Sequence, residues 1–147
     1  MESVFLGIGL SILLGALLGV QREIRQQTSN MRDFAGFRTY TFITLFGYLI
    51  GYLSFEVFEN DYIFPIALLG IFILLGLAYF AISRYNKKEI GLISEVVALL
   101  SFLVGYMISL EFYQVSIAIA ISITTILFLG DKLHSFAKNL RQEEIFA

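Results

Sequence analysis

The sequence predicts an all-α integral membrane protein of five transmembrane helices, N-terminus outside and C-terminus in the cytoplasm. Three observations carry that reading. The chain is 58% hydrophobic and only 15% charged, against about 45–50% and about 25% for soluble domains. A water-soluble fold has too little polar surface to cover so many apolar residues. Five long runs are almost free of charge, and all ten Lys and Arg residues fall on one side of a five-span arrangement.

The first run, Val4–Val20, is 17 residues without a charge, near the lower limit for crossing a hydrocarbon core of about 30 Å. Its arginines follow the apolar run rather than precede it, and no small-residue cleavage pattern stands before them. It therefore reads as a retained helix rather than a signal peptide. Gly7, Ser11, Gly15 and Gly19 recur every four residues, which stacks them on one helix face. Such small ridges let helix backbones approach closely in lipid. They serve packing inside one bundle or an interface with a second chain.

A polar loop is expected over Gln21–Gly36. The second span, Phe37–Phe55, carries Gly47 and Gly51 at the same spacing. Glu56, Glu59 and Asp61 form an acidic loop. The third span is Ile63–Ile82, with Pro65 in its first turn, where the missing N–H does no harm. Arg84, Lys87 and Lys88 follow. The fourth span, Leu92–Leu110, has Ser101, Gly105 and Ser109 as a further small ridge and contains Glu95 one turn in. The fifth is Val115–Gly130. These spans make one membrane domain over residues 1–130. The tail, 131–147, keeps apolar residues at helical spacing and extends the last helix or lies on the membrane surface.

The positive residues lie in the first loop with Arg38, in the third loop and in the tail. The N-terminus and the other two loops carry only acids. The positive-inside rule places the basic side in the cytoplasm. Tyr62 and Tyr113 on one side, and Tyr40 and Tyr85 on the other, suit interfacial belts.

Composition also excludes chemistry. There is no Cys, and the single His is His134 in the tail. That removes disulfides, thiolate sites and His-pair metal sites within one chain. The net charge of −2 argues against bulk nucleic-acid binding. No HExxH, GxSxG or phosphate-binding glycine loop is present, so neither an enzyme nor a cofactor is expected, and no metal site is assigned.

The candidate functional residues are charges at the cytoplasmic helix ends: Arg38, Glu95, Arg22 and Glu23. A helix N-terminus suits Glu95 and disfavours Arg38. Arg38 therefore needs a carboxylate or a lipid phosphate close by. Glu23, Asp33, Glu89 and Glu95 share its side, and Glu95 is the expected partner because the second and fourth spans start at the same face. Charges inside spans are functional by default, although many are also structural.

At these residues the sequence resembles the MgtC/SapB family of bacterial inner-membrane proteins. Gly19-Val20-Gln21-Arg22-Glu23 resembles the family's Gly-x-Glu-Arg-Glu segment. Ala35-Gly36-Phe37-Arg38-Thr39 resembles its Ala-Gly-Leu-Arg-Thr entry into the second helix. Gly91-Leu92-Ile93-Ser94-Glu95-Val96-Val97-Ala98-Leu99 resembles a segment of the branch with an additional membrane half. Gln21 stands where the family often has Glu. By this resemblance Gln21, Gly36, Thr39 and Ser94 are supporting motif positions. It implies a membrane family linked to growth in low magnesium, intracellular survival and modulation of the ATP synthase.

Two functions fit. One is a subunit of an ion or small-solute transporter or channel, working with the lipid bilayer as a homo-oligomer or beside a related membrane chain. The other is a regulatory protein that transports nothing and binds another membrane complex, such as the ATP synthase.

Overall fold

Glycine positions decide which helices touch. The computed structural model describes residues 2–29, 36–60, 62–85 and 93–145. They form α1 (Glu2–Ser29), α2 (Phe37–Tyr52), α3 (Ile63–Tyr85), α4 (Ile93–Ser109) and α5 (Tyr113–Ile145), with a π-helical turn, Leu53–Val57, continuing α2. Among the described residues, four stretches are long and apolar enough to cross a membrane: Ser3–Ile24, Phe37–Val57, Ile63–Ala81 and Tyr113–Gly130. Ile93–Ser109 is apolar but shorter. Asp33, Ala35, Asp61, Glu89, Gly91 and Leu92 lie outside the described residues.

The first loop differs from its sequence reading. α1 does not stop near Val20 but runs on to Ser29. Gln21, Arg22, Glu23, Arg25, Gln26 and Gln27 are unbranched residues that lose little side-chain freedom in a helix, and neither Gly nor Pro interrupts them. α5 likewise continues past Gly130 without a break.

α2 sits between α1 and α4. It runs antiparallel to α1 and parallel to α4, and both contacts depend on missing side chains. A Cβ on Gly19 would lie 2.7 Å from the Phe37 Cα, and one on Gly15 2.8 Å from the Thr41 Cα. Gly7 faces the Tyr48 ring, whose hydroxyl donates to the Val4 carbonyl at 3.2 Å. On the other side of α2, Gly47 meets the Phe102 carbonyl, Gly51 meets Ser109, and Gly105 meets the Thr44 carbonyl. Ser11 and Ser101 are fully buried. Each returns its hydroxyl to its own helix, to the Gly7 carbonyl at 2.7 Å and the Val97 carbonyl at 2.8 Å. Ser109 does the same to the Tyr106 carbonyl at 2.6 Å. The glycines of these ridges thus bring the chain's own helices together backbone to backbone.

All five helices meet in one layer. Leu18 of α1, Tyr40 of α2, Leu75 of α3, Val97 and Ala98 of α4 and Ile123 of α5 pack as one buried cluster. A second cluster toward the other end joins Leu14, Tyr48, Val104, Ile108 and Ala120. Tyr40 is therefore core, not an interfacial anchor. It is fully buried, two residues from Arg38 and so on a different face of α2. Tyr62 is exposed.

α3 is the outlying helix. It is held by Phe64, stacked on Tyr106 at 3.8 Å between ring centroids, and by Leu75 in the five-helix layer. Ile66, Leu69, Phe72, Leu77 and Phe80 stay exposed. At the basic end of the bundle Arg84 lies over the Phe80 ring at 4.7 Å, and on α5 Lys132 lies over Phe128 at 4.7 Å. Each cation folds back one turn onto the edge of its apolar segment.

Candidate functional site

The site is built at the basic end, where α1 leaves the five-helix layer and α2 and α4 enter it. Leu14, Leu18 and Arg22 form one i, i+4 row of α1. Their exposures are 2%, 0% and 1%, so the row stays buried although its last member is charged. On α4, Glu95 lies one turn before Ala98 and Leu99 and is 9% exposed. Its Oε2 is buried and has no hydrogen-bond partner. Arg22 and Glu95 thus each sit one turn beyond the same apolar layer, on the same side of it.

A second i, i+4 row of α1 runs Gly7, Ser11, Gly15, Gly19, Glu23. Because Gly19 lets α1 cross close over the start of α2, Glu23 arrives at that helix's free amides. Its Oε2 accepts a hydrogen bond from the Phe37 N–H at 3.1 Å. The residue before Phe37 is Gly36, which has no side chain to cap α2. A Cβ there would stand 3.6 Å from the same Glu23 oxygen. Glu23 therefore caps α2 from another helix, and its negative charge suits the positive helix end.

The third segment is tied in through Tyr40. Its hydroxyl donates to the Ser94 carbonyl at 2.9 Å in a buried setting. The three segments singled out in the sequence, around Arg22–Glu23, Gly36–Thr39 and Ser94–Glu95, thus converge on one end of α1, α2 and α4.

The two arginines do not have the roles their sequence context indicates. Arg38 is exposed, while Glu95 is buried. The buried face of α2 carries Tyr40, Thr44, Gly47, Tyr48 and Gly51. Arg38 is two residues from Tyr40, about 200° around the helix, and so it points away from the interior that holds Glu95. The buried arginine is Arg22. Gln21 and Thr39 are half-buried, and Ser94 is buried. Sequence reasoning missed Tyr40 as the link between two segments. It treated Arg22 and Glu23 alike, although one is buried and the other exposed. The signal was present in the two rows of α1, but using it needs α1 to continue past Val20.

Among the described residues no three Asp, Glu, His or Cys side chains cluster as metal ligands would. What the arrangement offers is a buried carboxylate with a spare oxygen and a buried guanidinium, at the mouth of a closely packed bundle.

The model of the MgtC family matches residues 8–136. The chain belongs to the MgtC family. The match takes in all three segments and reaches from the first turns of α1 into the extension of α5. No curated protein and no solved structure matches the chain.

Proposed function

We propose that this MgtC-family chain is one subunit of an ion or small-solute transporter or channel that works as an oligomer. It crosses the bacterial or archaeal cytoplasmic membrane five times, N-terminus outside, with α4 as the short fourth span. The carrying observation is Glu95, 9% exposed with Oε2 unpartnered. A carboxylate held inside a membrane bundle is costly and is kept where it handles an ion or a proton. Oligomerisation is supported by the packing. α1, α2 and α4 meet backbone to backbone at Gly19, Gly47 and Gly105, which leaves no room for a solute between them. A path then runs between chains or along the outlying helices.

A second reading keeps one observation of its own. The exposed apolar side of α3, including Ile66, Leu69, Phe72 and Leu77, suits a membrane partner as well as it suits lipid. On this reading the chain is a regulatory protein bound to another membrane complex through that face.

Flux measured on purified protein in liposomes separates the two. The transport reading expects movement of a cation, an anion or protons, lost in Glu95→Gln while the fold is retained. If a well-reconstituted sample moves none of them, transport is excluded. Co-purification of another membrane complex, abolished by charged substitutions on α3, then supports regulation.

A further inference from the structure

We infer that the groove between α2 and α3 is a binding site for one anionic phospholipid, its phosphate on Arg38 and an acyl chain along the groove. The groove encloses about 510 Å³ and is lined by Thr39, Phe42, Phe46 and Leu49 of α2 and by Ile71 and Leu74 of α3, among others. Its floor is the five-helix layer, where Leu75 is buried and Ile43 and Ile71 pack against it, and α3 is also held at Phe64 by stacking on Tyr106. Its α2 wall spans Thr39 to Leu49, about 15 Å of helix. That is the depth of one leaflet of a hydrocarbon core of about 30 Å. All the lining residues but Thr39 are apolar, as an acyl chain requires.

Arg38 supplies the other half of the site. Arg38, Phe42, Leu45 and Leu49 share one stripe of α2 at i, i+4, i+7 and i+11, and the last three line the groove. The arginine therefore stands at the groove's basic-end mouth, at the height where a chain lying in the groove presents its headgroup. Arg38 is exposed and, among the described residues, no ion pair neutralises it. It also sits at the positive end of α2, where its own helix repels it. The Glu23 carboxylate at that helix end is engaged with the Phe37 amide. A phosphate diester fits this gap, since a guanidinium binds it in a planar, two-pronged geometry. A zwitterionic headgroup brings a cation beside its phosphate and gains less. Arg84 is the nearest alternative on α3, but it lies on the stripe of Phe80, over whose ring it folds, and not on that of Ile71 and Leu74.

The test counts lipids retained by the purified protein in native mass spectrometry, with phosphatidylglycerol or phosphatidylcholine of identical acyl chains. The wild-type chain prefers phosphatidylglycerol about fivefold, the worth of one arginine near an anionic surface. Arg38→Gln abolishes the preference and still retains lipid, and Arg38→Lys keeps part of it. Leu74→Trp, which fills the groove, lowers retention of both lipids. Arg84→Gln leaves the preference unchanged. Unfolding temperatures measured alongside identify any variant that has lost its fold, and Arg38→Lys, the mildest change, then decides. Equal retention of the two lipids by the wild-type chain overturns the proposal, as does a preference that survives Arg38→Gln or falls equally with Arg84→Gln. Displacement of the lipid by excess inorganic phosphate alone also overturns it, because the groove then contributes nothing.

Discussion

The Glu23 carboxylate accepts a hydrogen bond from the Phe37 N–H at 3.1 Å, fourteen residues along the chain. One helix thereby caps another. The contact is possible because Gly19, one turn earlier on the same row of α1, has no side chain to hold the start of α2 away.

Removing that cap has a definite expected cost. Glu23→Ala leaves the Phe37 amide without its acceptor and destabilises the chain by about 0.5–1 kcal/mol. That is the lower part of the capping range, because the carboxylate is exposed and screened. Glu23→Gln keeps an acceptor oxygen and costs less. Amide hydrogen exchange is the direct readout: protection falls at Phe37–Tyr40 in Glu23→Ala and is unchanged in α4. Uniform loss across the bundle contradicts a local cap.

The glycines divide into two kinds, and alanine substitution tells them apart. At Gly19 a Cβ meets the backbone of Phe37, and at Gly105 it meets the Thr44 carbonyl. Backbone cannot rotate aside, so Gly19→Ala and Gly105→Ala push helices apart and cost about 1–3 kcal/mol or more. A Cβ on Gly70 or Gly76 of α3 meets nothing within 4 Å. There alanine removes only glycine's backbone entropy, and stability rises by up to about 1 kcal/mol. Thermal unfolding in detergent measures both. Equal losses at Gly70 and Gly105 show that α3 packs more closely than described.

These two groups also mark how far the sequence could be read. Periodic apolar runs locate all five helices, since charge-free segments of that length have few alternatives. The small rows locate contact faces, because the spacing of Gly15 and Gly19 or of Gly47 and Gly51 is itself a face. What escaped was partnership across space. Nothing local says that Arg22 rather than Arg38 is the buried one, since both border apolar runs. Only the continuation of α1 to Ser29 and its register against the other helices bury one and leave the other exposed. The cap on α2 was hidden for a related reason. Capping residues are sought just before the helix they cap, and here that position is Gly36.

The orientation is a separate matter of charge and is tested by labelling. With the basic ends of the helices in the cytoplasm, a Cys placed at Asn60, exposed on the loop before α3, reacts in intact cells with a membrane-impermeant thiol reagent. A Cys placed at Lys132, exposed on α5, reacts only after the membrane is opened. The chain has no native Cys, so each signal has one source. The opposite pattern reverses the orientation.

The most informative experiment concerns which arginine answers to Glu95. Arg22 and Glu95 are both buried, one turn beyond the five-helix layer, whereas Arg38 is exposed on another face. Two charges in the same low-dielectric region sense each other even without direct contact, and an exposed charge is screened by water and salt. Double-mutant cycles with glutamine at each position therefore differ. Arg22 and Glu95 couple by about 1 kcal/mol or more, while Arg38 and Glu95 add within about 0.5 kcal/mol. In the first cycle the double variant is less damaged than the sum of the single changes, because Glu95→Gln removes the charge that Arg22→Gln leaves uncompensated in the interior. Unfolding free energies in one detergent supply the cycle, and raising the salt concentration should leave the Arg22 coupling nearly unchanged. A larger coupling for Arg38 than for Arg22 means that the working form of the protein turns Arg38 inward. The site would then have to be rebuilt around that residue.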